Sequence, residues 1–304
     1  MNKYQIVELI YEGIESQVYL TRYDNKHYIL KIIKDNDDTE IQVLNNIKIH
    51  KNIINIIEYK YSSDKIEIVL PCAEWNLYSF LKEVKPDIKC KMNIFLQICE
   101  GLNHIHNEGY CHSDIKTDNI VIFKENDEYI AKIIDFGISI DLYNKDSSNI
   151  TVFGTYGTIS PQAQHVETLS FIYDSEEVSF TGVKEYWNKI LKDYENYKQL
   201  CLPLLDIIEE DMDRIKNDIF MLGILLYNIL YLEQIFNWKY VPIEILEFTK
   251  DSYSYLNEKT KGKPYIDKFY YLLYDMLYPK QEQRLNMNEV IERVKLIIQD
   301  INSS

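Results

Sequence analysis

Apolar and polar positions alternate through residues 4–34. Ile6, Val7 and Leu9, then Val18, Tyr19 and Leu20, then Tyr28, Ile29 and Leu30 recur around the turn pair Asp24-Asn25, which predicts a meander of antiparallel strands. The polar stretch 35–39 then caps a predicted helix in which Ile41, Leu44, Ile47 and Ile49 fall at helical spacing, and strands are expected around 53–61 and 66–70. After Pro71 the period lengthens. Helices are predicted over 77–83 and over 88–106, the second with Ile94, Ile98, Leu102 and Ile105 on one stripe. Short strands around 120–123 and 129–134 follow. Residues 215–232 are apolar nearly all round, the mark of a buried central helix, and helices over 265–278 and 287–301 close the pattern. A small sheet with one helix thus precedes a mainly helical part.

The chain has 304 residues, enough for one large core or two coupled lobes and too few for several independent domains. No apolar run reaches the roughly 18 to 20 residues of a membrane span, and the first residues lead straight into the strand pattern, so a cytoplasmic protein without a membrane is expected. Cys72, Cys90, Cys99, Cys111 and Cys201 are odd in number and scattered, without metal-site or disulfide-framework spacing, and read as reduced thiols. A formal net charge of −15 argues against a sequence-independent grip on nucleic acid, which needs clustered Lys and Arg. The weight of Ile, Asn, Lys and Tyr, with Arg only at Arg22, Arg214, Arg284 and Arg293, resembles coding from an AT-rich genome.

Candidate chemistry concentrates in His112-Ser113-Asp114-Ile115-Lys116-Thr117-Asp118-Asn119, with Asp135-Phe136-Gly137 a short hairpin later. Phosphoryl transfer asks for a carboxylate to orient and deprotonate a hydroxyl, oxygen ligands for Mg2+, and a cation over the moving charge. Asp114 fits the base, Asn119 and Asp135 the hard oxygen ligands, and Lys116 the cation.

These segments resemble the catalytic loop H-R-D-x-K-x-x-N and the D-F-G of the eukaryotic-type protein kinases. The resemblance implies a bilobal α+β fold, with an N-lobe at 1–71 and a C-lobe at 72–304, and transfer of the ATP γ-phosphoryl group to a protein hydroxyl. It places Lys31, in Tyr28-Ile29-Leu30-Lys31, on the nucleotide phosphates with Glu40 as its helix partner. Gly13, Val18, Ile29, Leu70, Pro71, Cys72, Ala73, Asn76 and Val121 would surround ATP, Leu70 as gatekeeper and Pro71 to Ala73 as the hinge. Gly154-Thr155 with Ser160-Pro161-Gln162 is similar to the end of the family's activation segment, and Thr155 with Lys116 implies Ser/Thr specificity. Asp218 and Arg284 match the family's central-helix and closing motifs.

Several positions depart from the family pattern. In Tyr11-Glu12-Gly13-Ile14-Glu15-Ser16 only Gly13 keeps a family glycine, which implies a weaker grip on phosphate. Ile29 replaces a small alanine. Ser113 replaces the loop arginine, and no arginine lies between Arg22 and Arg214, so activity is expected not to need activation-loop phosphorylation at Ser147, Ser148 or Thr151. Gln162 replaces a glutamate that would pair with Arg284. Residues 163–213 read as an insertion with a helical pattern and an acidic end. Two other classes of function remain open at this point, a pseudokinase or nucleotide-binding scaffold and a small-molecule kinase.

Overall fold

The computed structural model describes residues 3–34, 37–143, 154–155, 158, 160–161, 163, 213–236 and 241–303. Expectations for Ser147, Ser148, Thr151, Gln162, Cys201 and the body of the insertion, 164–212, lie outside them. The chain divides into two compact units, residues 1–143 with 291–304, and residues 144–290.

The first unit opens with β1 (Gln5–Glu12), β2 (Ser16–Tyr23) and β3 (Lys26–Lys34), then α1 (Thr39–Asn46), β4 (Glu58–Tyr61) and β5 (Lys65–Pro71). The strands form one antiparallel sheet in the order β1-β2-β3-β5-β4. Asp24 and Asn25 both take positive φ (48° and 59°), as a two-residue hairpin between right-twisted strands demands. One sheet face carries Leu30 and Val69 under Tyr4, with Tyr19, Tyr28 and Ile32 packed around them. The period of two sends Lys31, Ile33, Ile66, Ile68 and Leu70 to the other face, where all but Lys31 are buried.

Beyond the sheet come β6 (Trp75–Asn76), α2 (Leu77–Glu83) and α3 (Ile88–Asn107). Both helices are capped by side chains, Asn76 accepting from Ser79 N at 2.8 Å and Asp87 from Cys90 N at 2.7 Å. The predicted α3 stripe is buried throughout. A three-stranded sheet, β6-β8-β9, follows from β8 (Ile120–Glu125) and β9 (Glu128–Ile133), joined by Asn126-Asp127 at positive φ, while β7 (Tyr110–Cys111) pairs with β10 (Ile140–Asp141). In the second unit α4 (Arg214–Tyr231) has every residue from Asn217 to Tyr227 buried, as its all-round apolarity predicted. It is followed by α5 (Val241–Lys250), α6 (Ser252–Thr260) and α7 (Ile266–Met276); the last helix, α8 (Met287–Ser303), belongs from residue 291 onward to the first unit.

Three expectations are corrected. Helix α1 ends at Asn46; Ile47 is extended and Ile49 is 84% exposed, so neither continues the stripe. Its polar lead is also less of a cap than expected, because Asp38 makes no side-chain cap bond and Asp37 instead accepts from Thr39 N and Oγ1. The strand expected over 53–61 is confined to Glu58–Tyr61: Ile53 and Ile54 are buried against β9, where Ile54 N donates to Ile133 O and Ile133 N to Asn52 O. Helices α5 and α6 were not anticipated by the apolar pattern.

Candidate active site

Strand β7 delivers the chain into the loop from His112 to Asn119, buried at His112 to Ile115 and at Asn119, which a 3-10 turn at Thr117–Asn119 closes before β8 begins. Asp114 is 7% exposed. Its Oδ2 accepts from Lys116 Nζ at 2.7 Å and from Asn119 Nδ2 at 2.8 Å, and Nδ2 also reaches the Asp114 carbonyl. A carboxylate facing an ammonium and an amide is fixed in direction. The Asn119 nitrogen is thus spent on Asp114, so its side chain offers Oδ1 to a hard cation.

His112 is fully buried and orders the same loop. Its Nδ1 accepts from Asp114 N at 3.2 Å, which requires the proton on Nε2, and Nε2 lies 3.0 Å from the Ile134 carbonyl to which it donates. The ring meets Phe136 edge-on at 5.0 Å. Ser139 Oγ donates to the His112 carbonyl at 3.3 Å. Between these anchors Ser113 sits at φ 70° and Asp135 at φ 67°, left-handed conformations that non-glycine residues adopt only when their surroundings impose them. Ile134 N donates to Asn119 O at 2.9 Å, which ties the backbone before Asp135 to Asn119; an amide and a carboxylate oxygen are the hard donors that Mg2+ takes.

Lys31 joins the sheet to this loop. Its Nζ lies 2.6 Å from Glu40 Oε2 and 2.7 Å from Asp135 Oδ1. Glu40 is 1% exposed and also receives Phe136 N through Oε1. Burial is the largest influence on the Lys31 ammonium and works to lower its pKa; the two carboxylates outweigh it and hold the value above the ordinary lysine range. For Asp135 burial works upward and is outweighed by Lys31, which holds the carboxyl below its usual value.

The other candidate residues fall into four groups. Strand register places Val18 opposite Lys31 and Ile29 opposite both Leu20 and Leu70, so Val18, Ile29 and Leu70 share the sheet face of Lys31. Pro71 ends β5, with Cys72 and Ala73 half-buried beyond it; Asn76 caps α2 and pairs with Val121 across β6 and β8. Burial pushes the Cys72 thiol up. Gly13 donates its N–H to Ser16 O at 2.8 Å in the turn between β1 and β2. Thr155 and the fully buried Asp218 belong to the second unit, where the Thr155 carbonyl accepts from Thr158.

Two contributors escaped the sequence reading. Ser139 anchors the loop carbonyl, and Asn52 donates to Gln97 Oε1 and Ala131 O, tying the 47–54 segment to α3 and β9. Neither partner of Asn52 is readable without the fold.

A family model described as the protein kinase domain matches residues 4–170. A probable serine/threonine-protein kinase of Encephalitozoon cuniculi (strain GB-M1) is 30% identical over 181 residues, covering 57% of this chain and 34% of that protein. A probable cyclin-dependent serine/threonine-protein kinase of Dictyostelium discoideum is 32% identical over 154 residues, 47% of this chain and 11% of the relative. The human serine/threonine-protein kinase Nek5 is 29% identical over 177 residues, 53% and 25% of the two chains. The matched part is therefore 34% or less of each of these relatives.

Proposed function

Since the chain belongs to the protein kinase family, a family of phosphotransferases, we propose that it transfers the γ-phosphoryl group of ATP to Ser and Thr hydroxyls of protein substrates, with Mg2+ as cofactor. The observation that carries this reading is the single ammonium of Lys31 between Glu40 and Asp135 at 2.6 and 2.7 Å, beside a loop that holds Asp114 by Lys116 and Asn119. In it Asp114 orients and accepts the proton of the substrate hydroxyl, and Lys116 balances charge that develops on the transferred group. Lys31 holds the nucleotide phosphates and Glu40 holds Lys31. Asn119 Oδ1 and the Asp135 carboxylate are the residues that would hold Mg2+, which supplies positive charge to the phosphates when bound. Val18, Ile29, Leu70 and Val121 enclose the adenine, and the backbone of Pro71 to Ala73 reads its edge.

Ser/Thr specificity is supported by Lys116 and Thr155 and by the names of the relatives. Independence from activation-loop phosphorylation is supported by Ser113, buried in the place of an arginine, and by the absence of arginine between Arg22 and Arg214. A cytoplasmic place of action is supported by Cys72, Cys90, Cys99 and Cys111, none of which forms a disulfide among the described residues. One observation favours a second reading, a nucleotide-binding scaffold: Gly13 spends its amide on Ser16, and Glu12 and Glu15 flank it.

Incubation with γ-labelled ATP and a mixed protein substrate, followed by phosphoamino-acid analysis, tests the proposal. Label on phosphoserine and phosphothreonine is expected, and to persist after phosphatase pretreatment or after Ala substitution of Ser147, Ser148 and Thr151. Label confined to phosphotyrosine or to a small metabolite contradicts the substrate assignment. Loss of turnover in the triple-alanine variant contradicts the independence.

A further inference from the structure

Near the end of β1, Tyr11 stands where the family pattern has a glycine, and strand register fixes the face it occupies. Tyr11 stands opposite Val18, and Val18 opposite Lys31. Residues directly opposite across antiparallel strands share a face. Tyr11 therefore lies on the face from which Lys31 reaches Glu40 and Asp135.

The adjacent acid is turned away. Glu12 stands opposite Gln17, whose amide donates to its carboxylate at 2.8 Å, and Gln17 Oε1 accepts from Tyr19 OH at 3.0 Å on the opposite face, where Tyr19 packs beside Leu30. The first carboxylate of the turn is thus held off the Lys31 side while a phenol is presented to it. The Tyr11 ring folds over the turn: a Cβ placed on Gly13 would lie 2.5 Å from the Tyr11 phenol oxygen and 2.8 Å from Cε1. With 56% of its surface exposed, the ring keeps solvent access. The Gly13 amide is already committed to Ser16 O at 2.8 Å.

We propose that Tyr11 is a phosphate-binding residue of the nucleotide site, its phenol O–H donating to a phosphate oxygen of the nucleotide held by Lys31. It stands in for the backbone amide that Gly13 spends within its own turn. The inference rests on the ATP-binding reading above. It makes a distinction that a packing role for the ring does not: nucleotides carrying phosphates depend on the hydroxyl, and the bare nucleoside does not.

Calorimetric titration of the full chain with ATP, ADP and adenosine, for wild type, Tyr11→Phe, Gly13→Ala and the double variant, tests it. Tyr11→Phe keeps the ring and its seat on Gly13 and is expected to weaken ATP and ADP about 10- to 100-fold, the size of one hydrogen bond to a charged acceptor, with adenosine unchanged. Gly13→Ala displaces the phenol and is expected to weaken ATP in the wild type while adding less than about twofold on top of Tyr11→Phe, since residues in contact are not additive. Wild-type ATP affinity in Tyr11→Phe, or an equal loss for adenosine, overturns the inference while Lys31-dependent ATP binding stands. Failure of the wild type to bind ATP, with no change in Lys31→Met, overturns both the inference and the reading beneath it.

Discussion

Lys31 concentrates most of the electrostatic risk of the first unit in one atom. Replacing it by Met leaves the Glu40 carboxylate, 1% exposed, without its cation, and a broken buried pair of this kind costs about 3 kcal/mol or more. Urea unfolding of Lys31→Met should show that loss, and Glu40→Gln added to it should recover a good part, because the uncompensated charge is what is costly. An additive double variant contradicts this account. The pH dependence has a defined sign. Asp135, with its pKa held down, contributes stability above the ordinary carboxyl value near about 4 that is lost as pH falls through its folded value. Lys31, held up, contributes stability that is complete below about 10.4 and lost as pH rises past its folded value. The gap in unfolding free energy between wild type and Lys31→Met is therefore expected to stay level from about pH 6 to 9 and to narrow below about pH 4. A gap that persists at acid pH would mean that Lys31 stabilises by packing alone. At this scale the sequence was informative because phosphoryl chemistry demands particular groups in order: Lys31, Glu40, Asp114, Lys116, Asn119 and Asp135 are each drawn into one of the two hydrogen-bonded clusters. Ser139 and Asn52 were not legible, since a hydroxyl or an amide gains meaning only from the carbonyl it meets.

Helix α3 and the 47–54 segment meet closely. A Cβ on Gly101 would sit 2.9 Å from the Asn52 carbonyl oxygen and 3.2 Å from Ile133 Cδ1, so backbone on one side and a core methyl on the other leave no room. Ala is favoured over Gly in a helix interior by about 1 kcal/mol. Overpacking here opposes that gain, and Gly101→Ala is expected to destabilise by about 1–3 kcal/mol in thermal unfolding. A stabilised variant would show that the contact yields. In the second unit Arg284 donates to the carbonyls of Tyr278, Lys216 and Pro279 and lies over the Phe220 ring at 5.0 Å. A single ammonium lacks that planar fork, so Arg284→Lys should lose about 2 kcal/mol. The same particulars explain which elements could be read in advance. Helix α3 and helix α4 announce themselves by a sustained stripe and by all-round apolarity. The apolar run at Ile53-Ile54 looks like a strand, yet its backbone is spent on β9, a pairing with a partner about 80 residues away that local pattern does not encode. Helices α5 and α6 hide because they are short and separated by one residue, Asp251, which ends one helix and caps the next through Ser254 N.

For the whole molecule, a net charge of −15 sets the field that a charged substrate meets. Long-range attraction of a basic peptide is screened within a Debye length of about 8 Å at physiological salt. If the substrates are basic proteins, kcat/KM for a basic peptide should fall several-fold between low and high salt while kcat holds; an unchanged ratio would locate recognition in short-range contacts. The sheet-first, mainly helical-after order was legible because long helical stripes appear only after Pro71, although short strands, β6 to β10, return among them. The proposed phosphoryl transfer turns on Asp114 as the group that receives the hydroxyl proton. The most direct measurement is transfer of label from γ-labelled ATP to protein by Asp114→Asn, read beside its ATP affinity. The account predicts transfer reduced at least about 1,000-fold with ATP affinity within about twofold of wild type, since an isosteric amide keeps the hydrogen bonds of the loop but accepts no proton. Transfer at the wild-type rate in that variant would contradict it.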